Sequence, residues 1–144
     1  MAGTLADLAI RLNARATEIE QVASATAVNV ALAVVKDLTE VTPVDTSKAL
    51  SNWITTLDNP ATTNIDPYSV GKAGSTQAAS AAEALAQATQ ALQSKRPGQV
   101  IYITNNLPYI QRLNEGHSKQ QPAGFVERAL LIGRILVKNF KLRA

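Results

Sequence analysis

The sequence predicts an α+β domain: a small, mainly antiparallel sheet packed by a long N-terminal helix, an alanine-rich middle helix and a C-terminal helix. Three observations lead there. Apolar residues recur at helical spacing from Leu5 to Val41. Two short runs rich in β-branched and aromatic residues, one around Trp53 and one at 99–104, stand on either side of an alanine-rich helical stretch. The last apolar pattern, from Ala123 onward, is again helical, and helices flanking a few strands in this order fit helices laid over a small sheet.

The first helix is expected over residues 1–42. Thr4 with Asp7 three residues on resembles a capping box. Leu5, Leu8, Leu12, Ile19, Val22, Thr26, Val30, Val34, Leu38 and Val41 then recur at steps of three, four or seven, until Thr42-Pro43 ends the pattern. Such a helix would be about 55 Å long, more than one small domain buries. Val28, Leu32 and Val35 form a second apolar strip, so the helix should pack against its own core and against something else. A kink or break near Ser24 is the alternative.

Val41–Ser47 reads as a turn, with Pro43 restricting the backbone and Asp45 bonding nearby amides. Lys48–Asp58 reads as a strand centred on Trp53 and Ile54. Residues 59–75, poor in apolar side chains, read as an extended loop that hides possible hairpin partners or is ordered only on assembly. From Ser75 or Thr76 to Ser94 an alanine-rich helix follows, with Ala78, Ala81, Ala82, Leu85, Ala88 and Leu92 on one face and Ser80 turned away. Gln99–Thr104 is apolar on both faces, which suggests a central strand. Pro108 opens a short helix to Asn114. The final helix, over residues 123–142, carries Phe125, Ala129, Ile132, Leu136 and Phe140 on one stripe and Leu131, Ile135 and Leu142 on a second.

With 144 residues the chain fits a single domain, 1–144, with a core of Leu, Ile, Val and Ala and only six aromatic residues. No cysteine is present, which removes disulfides, thiolate metal sites and a thiol nucleophile. The N-terminus shows no signal-peptide pattern and no membrane-spanning run is apparent, so the expectation is a soluble protein made in the cytosol. The net charge of +3 is unevenly placed: −2 over residues 1–40 and +5 over residues 112–144. That bias suits phosphate binding or a helix dipole equally.

Chemistry finds little support. His117 is the sole histidine, and Glu115 and Ser118 beside it are too near in sequence to face it productively. The eleven acids show no calcium-loop spacing, and Gly71 and Gly74 are not followed by the Lys-Ser/Thr pair of a phosphate loop. No catalytic residue, metal site or cofactor is therefore expected. The aromatics do not interleave with basic residues as a nucleic-acid stacking surface requires, which leaves only DNA contact without sequence readout. Apolar stripes on two faces of two helices instead favour an interaction protein, because two such surfaces on one chain can meet head to tail and close a ring.

Three passages carry a family resemblance: Thr42-Pro43-Val44-Asp45-Thr46 after the long helix; Tyr102-Ile-Thr-Asn105-Asn106-Leu107-Pro108-Tyr109 continuing through Glu115-Gly116-His117-Ser118; and Gln121-Pro122-Ala123-Gly124 leading into the last helix. In this order they resemble the tail-completion, or neck, proteins of long-tailed double-stranded DNA bacteriophages. That family usually carries glycine where Ser47 stands here, so a positive φ is less expected at this site. The resemblance implies a virion protein of the head–tail joint without enzymatic activity. It would be made in the host cytoplasm and assembled as a ring, hexameric or dodecameric, between connector or portal and tail. DNA would pass through its lumen unread, and no membrane is involved. A tail terminator that caps the tube or sheath, or a head-closure adaptor, fits the same description. Asp45, Trp53, Asn105, Asn106, Pro108, Tyr109, Glu115, Gly116, His117 and Pro122 are the expected subunit or partner contacts, each with a plain fold-maintaining alternative.

Overall fold

The computed structural model describes residues 3–141. Its element order is α1 (Leu5–Val41), α2 (Lys48–Ser51), β1 (Ile54–Leu57), α3 (Gln77–Leu92), β2 (Ile101–Thr104), α4 (Ile110–Asn114) and α5 (Phe125–Lys138). The strands form a two-stranded antiparallel sheet with Ile54 opposite Thr104 and Leu57 opposite Ile101. The α+β class and the three packing helices are as the sequence predicts.

α1 starts where the capping box places it. The Thr4 hydroxyl accepts from the Asp7 amide at 3.1 Å, and the Asp7 carboxylate accepts from the Thr4 amide at 2.9 Å. Those two bonds hold the Asp7 carboxyl below its usual range, the Thr4 backbone bond first and the Thr4 side-chain bond second. The helix runs 37 residues without the break considered near Ser24. One of its 18-residue windows, with a mean hydropathy of 1.4, is long and apolar enough to cross a membrane by length and composition. The expectation of no such run is corrected to that extent. A third of that window is buried within the fold.

The C-terminal half of α1 is the spine of the core. It packs against both α5 and α3, which explains its two apolar strips within one chain. Val34, Leu38, Val41, Trp53, Phe125 and Ala129 make a buried cluster, with Ile103, Ile110 and Leu113 against it. The α1–α5 approach is close because Gly133 has no side chain: a Cβ there would lie 3.0 Å from Val34 Cγ2. The N-terminal half has no such cover. Leu5, Leu8, Leu12 and Val22 are all exposed, Leu5 to 85%.

Several local expectations are corrected. Lys48–Ser51 is a helical turn, so the strand begins only at Ile54; Trp53 precedes it and is buried against α1 and α5. Asn52 explains the change, since its side chain donates back to the Lys48 carbonyl at 2.8 Å and closes the turn. β2 is not central, because β1 is its sole partner among the described residues and all four of its positions are half-buried. On α3, Ser80 is fully buried while Ala78 and Ala82 are exposed. Ser80 Oγ takes the Ser69 amide at 3.1 Å, so a polar side chain faces inward to hold the preceding loop.

That loop contains no strand among the described residues, and side chains hold it throughout. Asn52 brackets Ile65, donating to its carbonyl at 2.9 Å and accepting from its amide at 2.8 Å. Asn106 Nδ2 donates to the Ala61 carbonyl at 2.7 Å, and Ser51 Oγ accepts from the Tyr68 amide at 3.2 Å. The last helix begins at Phe125 rather than Ala123, and Leu142 of its second stripe lies outside the described residues.

Candidate functional site

Two of the passages that carry the family resemblance meet in space. Pro43 ends α1, and the chain turns through Val44–Ser47 into α2. After β2, α4 and the loop that follows it return to the same place. Together they line a cavity of about 320 Å³ whose polar wall includes Asp45, Lys48, Tyr109, His117, Ser118 and Gln120.

The turn is built from below. Thr42 Oγ1 donates to the Leu38 carbonyl and accepts from Trp53 Nε1 at 2.8 Å, so the indole anchors the end of α1 from inside the core. Asp45 holds the far loop: its Oδ1 accepts from the Ala73 amide at 2.8 Å and its carbonyl from the Gly74 amide at 3.0 Å. Ser47 is left-handed at φ 68° and wholly buried, its Oγ 2.9 Å from Thr76 Oγ1. The lack of glycine therefore does not prevent the positive φ; an inter-element hydroxyl contact accompanies it.

The other wall depends on asparagines. Asn105 Oδ1 accepts from the Leu107 amide at 3.2 Å, a local turn, while its Nδ2 donates to the Ala49 carbonyl at 2.8 Å. Pro108 is exposed and lies just before α4, whose N-cap is Tyr109. Asn114 ends α4 and caps α5. Its Oδ1 accepts from the Val126 amide at 2.9 Å, and its Nδ2 donates to both Glu127 oxygens. That side-chain bond holds the Glu127 carboxyl below its ordinary value. Gly116 turns the chain at φ 95°, and a Cβ there would sit 3.2 Å from Ala123 Cβ.

Across the cavity, Gln120 joins the walls. Its Oε1 accepts from the Val44 amide at 2.7 Å and its Nε2 donates to the Val44 carbonyl at 2.8 Å. Burial raises the Tyr109 hydroxyl above its usual range. The His117 backbone amide donates to the Arg112 carbonyl at 3.2 Å, and its exposed imidazole has no hydrogen bond or ion pair among the described residues. No orienting carboxylate therefore holds the ring as a general base would require. Among the described residues, no group of three His, Asp or Glu side chains is placed to hold a metal.

The structure thus brings Asp45, Tyr109 and His117 to one cavity. Trp53 lies beneath them in the core, Asn105 and Asn106 tie down neighbouring loops, Glu115 accepts from Gln111 at 2.9 Å on the exposed side of α4, and Pro122 is exposed beyond the turn. Gln120 and Asn114 were missed. Asn114 had a faint signal, a polar residue at the end of a short helix, whereas the Gln120 partner lies 76 positions away. The cavity presents hydrogen-bond donors and acceptors from these side chains. No protein-family model, curated protein or solved structure matches this chain.

Proposed function

We propose that this chain is a structural protein of the bacteriophage neck, assembling with copies of itself into a ring that joins or completes the tail at the head–tail interface. The observation that carries the reading is the uncovered apolar surface at two separate places on one body. Leu5, Leu8, Leu12 and Val22 are exposed on α1, and Leu130, Leu131, Ile135 and Val137 are exposed on α5. Scattered apolar residues are normal on a protein surface, but strips of them call for a covering partner. Two unlike strips are what a head-to-tail contact uses. The resemblance over Thr42–Thr46, Tyr102–Tyr109 continuing through Glu115–Ser118, and Gln121–Gly124 implies the neck, the neighbours and the absence of enzymatic activity.

In this reading the cavity between Asp45 and His117 receives a loop of the neighbouring subunit or of the next ring. A tail terminator is the second form of the same reading, since a cap on the tail tube needs the same ring. The +5 charge of residues 112–144 favours a surface near DNA phosphates, and binding there would be salt-sensitive and sequence-independent. Imaging of virions at subunit resolution tests the proposal. Density for this chain as a ring between connector and tail is expected, and its absence from the particle overturns the reading.

A further inference from the structure

The apolar strip of α1 continues in one line from Leu5 to Leu38, but α5 covers only its C-terminal part. Val30 and Val34 lie against Gly133, and Leu136 of α5 with Phe140 just beyond its end reaches α1 near Thr26. Beyond that point Leu5, Leu8, Leu12 and Val22 lie exposed along about 27 Å of capped helix. The same body carries an unfilled groove of about 590 Å³ between α1, β2 and α5. Ile101, Ile103, Leu130 and Val137 form much of its apolar lining.

We infer that the α1 strip of one copy, Leu5–Val22, seats in the α1–β2–α5 groove of a second copy. This names the contact within the self-assembly proposed above and rests on that reading. Charge selects the occupant. The groove is rimmed by Lys95, Arg134 and Lys138, with no carboxylate in its lining. The rod carries Asp7, Glu18 and Glu20 against Arg11 and Arg15. Glu18 and Glu20 flank Ile19 of the strip; Glu18 already pairs with Arg15 at 3.0 Å, whereas Glu20, Arg134 and Lys138 lack an ion-pair partner among the described residues. Pairing of two rods with each other would leave the apolar groove and its rim cations Arg134 and Lys138 uncovered. Rod into groove is instead a heterologous contact, which repeats from copy to copy and closes when the rotation allows.

The absence of native cysteine gives a clean test. Full-length Val22→Cys and Val137→Cys chains are prepared separately, mixed, and treated with a short bismaleimide, with the mass of each sample followed by light scattering. Cross-linked dimer is expected in the mixture and in neither chain alone. Reversing the rim with Arg134→Glu and Lys138→Glu should weaken association about tenfold or more at low salt, and Glu18→Lys with Glu20→Lys on the rod of the partner should restore it. Cross-linking of the Val22→Cys chain to itself shows rod–rod pairing and overturns the inference. Association without a mixed cross-link also overturns it, while leaving a ring through other faces intact. A monomer at every concentration overturns it together with the self-assembly reading.

Discussion

Gln120 satisfies both backbone groups of Val44, accepting from its amide at 2.7 Å and donating to its carbonyl at 2.8 Å. A side-chain amide here does what a strand neighbour would do in a sheet, and it closes the joint between the turn after α1 and the loop after α4. Gln120→Ala removes both bonds and leaves the polar groups of the buried Val44 without these partners. The expected loss is about 1–3 kcal/mol of folding stability, read from denaturant midpoints. Faster hydrogen exchange at the Val44 amide, with the α1 core amides unchanged, would place the loss at the joint.

Trp53 and Thr42 form the second such pair, at 2.8 Å and wholly inside the core. Thr42→Val keeps the shape but orphans the indole N–H, so it should cost about 1–3 kcal/mol. Trp53→Phe costs more because it also opens a cavity. The double variant should cost less than the sum of the two, and strict additivity in the cycle would show that the hydrogen bond contributes nothing.

At Ser47 the backbone and the side chain oppose each other. A left-handed φ costs a non-glycine residue about 1–2 kcal/mol, while its hydroxyl contact with Thr76 returns a similar amount. Ser47→Gly should therefore be nearly neutral, and Ser47→Ala destabilising by about 1 kcal/mol. Alanine proving as stable as glycine would show that the φ strain is not felt.

Gly133 sets the α1–α5 distance. Gly133→Ala gains about 1 kcal/mol of helix propensity but meets Val34 Cγ2 at 3.0 Å, so the two effects should nearly cancel. Gly133→Leu has no such balance and should lose about 1–3 kcal/mol by forcing the helices apart. Thermal melts of the pair of variants distinguish the two cases.

Glu127 makes the α5 cap sensitive to acid. Its folded pKa is lowered chiefly by the Asn114 side-chain bond, so its contribution is present above the unfolded pKa and is lost as pH falls through the folded one. Stability measured against pH should decline below the usual carboxylate range. Asn114→Ala should flatten that part of the curve, and an unchanged acid limb would remove the link.

What was legible in the sequence followed from local rules. Thr4 and Asp7 are three residues apart, so their reciprocal bonds mark the helix start without any help from the fold. The strip from Leu5 to Val41 set the length of α1, and Pro43 its end. The 48–58 region misled because a run of β-branched and aromatic residues around Trp53 does not reveal that Asn52 will bond back to Lys48 and curl the segment before Ile54. Ser80 misled for the same reason: its inward turn depends on Ser69, which the loop delivers from outside the helix.

By itself the sequence determined the three long helices and the short one after Pro108, the approximate place of both strands, the charge asymmetry and the absence of cysteine. Periodicity, caps and composition act over a few residues, so they need no tertiary context. Only the tertiary structure decided that Asp45 and His117 share one cavity, that Gln120 joins its walls, and which half of the α1 strip is covered. Those outcomes depend on contacts between elements far apart in the chain, whose pairing is set by core packing around Val34, Trp53 and Phe125 rather than by any local pattern.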